Sequence, residues 1–93
     1  FGKVDPLIKN PEISEIFCNS YNDIKVKYKN EIVSTNIQFD TNEELDNFIL
    51  NVAEKTNTEV SEENPQLNAN FQNLKVSAFY NPIMGSRFTI VKQ

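Results

Sequence analysis

Residues 41–55, TNEELDNFILNVAEK, constrain this chain more than any other stretch. Leu45, Phe48, Ile49, Val52 and Ala53 recur at i, i+3, i+4, i+7 and i+8, which places all of them on one face of an α-helix. Thr41 and Glu44 have the spacing of a capping box: the hydroxyl accepts from the Glu44 N–H and the carboxylate reaches back. Asp40, Glu43 and Glu44 put negative charge at the first turn, and Lys55 puts a cation near the last. No Gly or Pro interrupts the run. A helix with one apolar face needs a second layer to cover it, so the remaining segments must supply a sheet.

They have the pattern for it. Ile24, Val26 and Tyr28 alternate with Lys25, Lys27 and Lys29, a strand with one dry and one wet face. Lys29-Asn30 is a short turn, and residues 31–39 are expected to continue the hairpin with Val33, Thr35, Ile37 and Phe39 on one face. Upstream, Asp5 is expected to cap a short helix with Pro6 at its first position, Asn10-Pro11 to stop it, and residues 13–18 to form a strand. Downstream of a polar loop, 57–65, lie three more candidate strands: 66–72, 74–80 and 86–92. The expected fold is α+β, a small mostly antiparallel sheet of about six strands with one long and one short helix. All of residues 1–93 belong to it as a single domain.

Composition narrows the chemistry. The chain has no histidine, which removes imidazole acid–base catalysis and His-ligated metal sites. Cys18 is the only cysteine, so no internal disulfide can form, and a reducing compartment is expected. Its bland reading, a small apolar residue on a strand, outweighs that of a nucleophile because nothing marks a nearby base. Gly2 and Gly85 are the only glycines, so a G-x-x-x-x-G-K-[ST] phosphate loop is absent from this stretch. The net charge of −4 argues against a nucleic-acid binder and against binding to an anionic membrane surface. Glu62-Glu63 and the lysines of the alternating strand read as solvated surface, and Tyr21, Phe79 and Tyr80 as sheet packing. The start at Phe1 rather than Met is read as the mark of a piece cut from a longer protein.

The order of these segments carries a family resemblance. PLIKNPEISEIFCNS, then IKVKYKN, then EELDNFILNVAEKTN, then NPQLNANF, LKVSA and the closing Ser86-Arg87-Phe88-Thr89-Ile90-Val91-Lys92-Gln93 follow one another as in a known domain. The stretch resembles the amino-terminal domain of the type II and type IV secretion traffic ATPases, motors of secretion and of pilus and archaellum assembly. Its helix and last strand look most like the archaeal branch. The resemblance spans about Asp5 to Gln93, and order and spacing carry it more than any single motif.

The resemblance implies a PAS-like α+β domain that precedes a RecA-like ATPase domain, expected after residue 93. It implies a homo-hexameric ring in the full-length protein, with ATP and magnesium as its cofactors and none in this piece. It implies a non-catalytic regulatory and interaction role, capping the nucleotide site of the ATPase domain. Partners would be that ATPase domain and membrane platform or secretion-system proteins, with no nucleic acid. The location would be cytoplasmic, peripheral to the membrane through the secretion machinery. Family arginines that can reach bound phosphates align with Asn70, Lys75 and Val91, so only Lys75 carries over as a candidate nucleotide-binding residue, with no catalytic residue and no metal ligand. A stand-alone PAS-like small-ligand sensor or interaction module is the alternative, and it requires a cavity under the helix.

Overall fold

A computed structural model describes residues 1–93. The long helix, α2, runs over Asn42–Lys55 with Thr41 as N-cap, and the Thr41 hydroxyl accepts from Glu44 N–H at 3.1 Å. The reciprocal bond lands one residue earlier than a capping box requires: Glu44 Oε1 accepts from Asp40 N–H at 2.6 Å. Lys3 joins from outside the helix, donating to the same Glu44 oxygen at 2.8 Å. Leu45, Ile49, Val52 and Ala53 are buried as their spacing requires, whereas Phe48 is half-buried.

Beneath α2 lies a six-stranded sheet, antiparallel throughout. Its strands are β1 (Ile13–Ser20), β2 (Asp23–Tyr28), β3 (Glu31–Ser34), β4 (Gln66–Phe71), β5 (Leu74–Phe79) and β6 (Arg87–Lys92), in the order β3-β2-β1-β6-β5-β4. Two three-stranded meanders are joined through β1 and β6, the first and last strands of the chain. Helix α2 carries the chain from one outer edge to the other. The Lys29-Asn30 turn has positive φ at both residues (49° and 68°), the geometry of a two-residue type I′ hairpin.

One face of the sheet is dry. Ile16 and Cys18 of β1, Ile24 and Val26 of β2, Leu67 and Ala69 of β4, Leu74, Val76 and Ala78 of β5, and Phe88 and Ile90 of β6 are all buried. With the helix face and with Val4, Leu7, Ile13 and Phe39 they form one cluster of 19 buried apolar residues. Strand β1 keeps Ile13 and Ile16 on the same side despite their odd separation, because the register slips between Ile13 and Glu15. Phe48 seals one end of this core, stacked on Phe88 at 4.8 Å and tilted against Phe39 at 5.5 Å.

Three sequence expectations need correction. Asp5 does not cap the short helix: α1 (Asp5–Lys9) follows a 3-10 turn, Gly2–Val4, and has Val4 as N-cap, while Asp5 pairs with Lys9 at 3.0 Å. Strand β1 reaches Ser20, two residues further than expected, so that only Tyr21-Asn22 remain as the turn. The hairpin strand expected over 31–39 ends at Ser34. There the Thr35 hydroxyl donates to Ile24 C=O at 2.9 Å and accepts from Ile37 N–H at 3.2 Å, and this local turn lifts the chain off the sheet. Phe39 still reaches the core, but from a loop.

Candidate functional site

Because α2 covers one face, the residues between the buried ones point to the other. On β4, β5 and β6 these are Asn68 and Asn70, Lys75 and Ser77, Thr89 and Val91. The pairing places Asn70 opposite Lys75 and Lys75 opposite Val91. Directly paired side chains on one face stand about 5 Å apart at Cβ. Asn70, Lys75 and Val91 are the positions with which the sequence resemblance aligns family arginines. Positions separated by 5 and 16 residues in the chain thus form one row across three strands. The row continues through Glu15 on β1, opposite Val91, to Lys27 on β2, opposite Glu15.

Lys75 is exposed and makes no ion pair. The lysines of the alternating strand differ from it: Lys25 pairs with Asp23 at 2.8 Å, Lys27 with Glu15 at 3.6 Å and Lys29 with Glu12 at 3.3 Å. The Lys25 ammonium holds the Asp23 carboxyl below the usual carboxylate range. Lys92, the other basic residue at the end of the closing strand, turns back to α1, where its Nζ donates to the carbonyls of Leu7 (3.0 Å) and Asn10 (2.7 Å). Both carbonyls lie at the C-terminal end of α1, where a cation is favoured, and Asn10 C=O also accepts from Ile13 N–H at 3.1 Å. Partial desolvation lowers the Lys92 pKa. Of the lysines that could bear on the row, Lys75 is therefore the one left unpaired.

Cys18 is buried, its Sγ donates to Ser20 C=O at 3.1 Å, and burial pushes its thiol up to about 12. A thiol so far from its thiolate is a packing group. Tyr21 and Tyr80 pack against the core, while Phe79 lies on the open face beneath the Arg87 guanidinium, 4.8 Å from ring to Cζ. No group of three or more His, Cys, Asp or Glu is placed to hold a metal ion.

Two features escaped the sequence pattern. Asp46 and Ser86 are the only buried polar residues, 40 positions apart and bonded at 2.6 Å. Asp46 sits beside Leu45 in the helix repeat and could have been read as one more exposed acid. The second is the pair Ile83 and Met84, which are 81% and 83% exposed. An apolar pair between Pro82 and Gly85 was the available signal, since breakers on both sides force a loop tip to carry it.

No family model matches the chain. Over 67 residues, 70% of this chain, the sequence is 33% identical to an uncharacterised protein of Methanocaldococcus jannaschii. The fold superposes with a TM-score of 0.86 on a crystal structure of the VirB11 ATPase from the Brucella suis type IV secretion system in complex with sulphate. That match covers 98% of this chain at 17% sequence identity, so the likeness is one of fold. The chain spans 27% of the length of the first protein and 29% of the second.

Proposed function

We propose that this domain is a non-catalytic interaction domain of a secretion or filament-assembly ATPase, resting over the nucleotide site of a neighbouring ATPase domain. One observation carries the reading: nearly the whole chain shares the fold of under a third of a secretion ATPase, while its own residues include no phosphate loop. The segment order that resembles the traffic ATPases supports it independently. ATP and magnesium would be bound by the neighbouring domain, and the ring would be a homo-hexamer at a membrane platform on the cytoplasmic side.

In this reading the open sheet face is the working surface and Lys75 its most direct contact. An unpaired, exposed lysine supplies charge without fixed geometry, unlike an arginine fork. It influences turnover only if its contact with the phosphates or their domain differs between motor states. Its cross-strand partners, Asn70 and Val91, carry no charge, so the contribution is that of a single cation.

The test is ATP turnover in the full-length protein. Lys75→Ala is expected to lower turnover or its coupling to assembly, and Lys75→Arg to keep most of it, with the domain still folded by circular dichroism. Parent-like turnover and assembly in Lys75→Ala would remove Lys75 from the site. A full-length protein that hydrolyses no nucleotide would overturn the reading as a whole.

A further inference from the structure

The loop between β5 and β6 does something the sheet face does not. It holds two large apolar side chains, Ile83 and Met84, almost fully in solvent. Isolated exposed apolar residues are ordinary, but here they are adjacent and at the tip of a loop tied down at several points. Asn81 Oδ1 accepts from both Ile83 N–H (3.2 Å) and Met84 N–H (2.9 Å). Asn81 C=O accepts from Gly85 N–H at 2.8 Å, closing the turn, and Gly85 takes φ +111°, which a side chain would resist. Asn81 N–H donates to Ser86 Oγ at 2.8 Å, and Ser86 Oγ donates to the buried Asp46 at 2.6 Å. The tip is thus braced against α2.

We infer that this loop is a preformed docking knob, with Ile83 and Met84 entering an apolar pocket on another domain of the same full-length protein. Binding through a loop already fixed in its bound shape avoids the ordering cost that weakens flexible contacts. Met is adaptable and polarisable, well suited to an apolar pocket. Arg87 stands immediately beyond the loop, exposed, stacked on Phe79 and in no ion pair. A pocket with a carboxylate on its rim would complement it.

Size argues for a tethered occupant rather than a free one. A standard interface between separate proteins buries about 800 Å² on each side, far more than two side chains offer. A contact this small holds when linkage gives the two sides an effective concentration in the millimolar range. The inference rests on the reading that the domain belongs to a larger protein, as do the longer chains it resembles.

The test uses the full-length protein with a photo-crosslinking phenylalanine analogue in place of Met84, and the same analogue in place of Glu43, exposed on α2, as control. The expected result is a crosslink to an apolar segment of the same polypeptide outside residues 1–93, well above the control yield. Arg87→Glu should lower that yield by roughly tenfold. A yield no higher than the control, or a crosslink only to residues 1–93 of a second copy or to a different protein, overturns the inference. ATP turnover is measured alongside. A crosslinking protein that hydrolyses no nucleotide keeps the knob and loses the ATPase reading; a hydrolysing protein without the crosslink does the reverse.

Discussion

Ser86 Oγ lies 2.6 Å from Asp46 Oδ1, a buried hydrogen bond that joins the residue just before the last strand to the second turn of α2 across 40 residues of sequence. The same hydroxyl accepts from Asn81 N–H, so one side chain locks a loop and seats it on the helix. Ser86→Ala leaves a buried carboxyl group without its donor and a backbone N–H without its acceptor. The expected loss is about 1–3 kcal/mol. Replacing both Asp46 and Ser86 by Ala should cost less than the sum of the single changes, because the pair is removed together. Chemical denaturation of the four proteins of the cycle measures this; strict additivity would mean that the bond does not couple them.

Phe48→Ala tests the seal at the end of the core. The ring stacks on Phe88 and touches Phe39, yet it is only half-buried. The expected loss is therefore about 3 kcal/mol, the lower end of the range for truncating a core aromatic. An unchanged urea midpoint and slope would show that the ring packs nothing.

The helix cap should be acid-sensitive. The side-chain hydrogen bond from Lys3, followed by the Asp40 N–H, lowers the Glu44 pKa in the folded state. A depressed carboxyl pKa stabilises the fold above its unfolded value of about 4.3 and ceases to do so as pH falls through the folded value. Glu44→Gln should melt below the parent at pH 7, and the gap should narrow in acid below about pH 4. A gap constant from neutral pH into acid would assign the effect to cap geometry rather than charge.

Cys18 should resist thiol reagents. With its thiol pushed up to about 12 and its side chain buried, the native protein at pH 8 should react far more slowly than the same protein in urea. Equal rates would mean that β1 opens readily at its Cys18 end.

Alternation and helical spacing are local properties, and they made much of the fold legible. Ile24, Val26 and Tyr28 announced β2, and Leu45, Ile49, Val52 and Ala53 announced the buried face of α2, because side-chain direction follows from backbone period alone. The end of β3 was not legible. Residues 31–39 alternate well enough to continue a strand, and what stops it is the Thr35 hydroxyl finding Ile24 C=O on the neighbouring strand. The candidate site divides the same way. The sequence alone identified Lys75 as an outward strand lysine, and the family resemblance suggested what it would contact.

Only the tertiary structure decided that Lys75 shares a row with Asn70 and Val91, since that depends on which strands pair and in what register. It also decided that Lys92 is spent on the carbonyls of α1 and that Asp46, one acid among thirteen, is the one taken into the core. The sequence by itself determined periods, the Thr41 cap, the lack of histidine and the lack of a phosphate loop in this stretch, all readable within a few residues. Partnerships across 40 or 85 residues are created when the sheet closes between its first and last strands, and no local pattern encodes them.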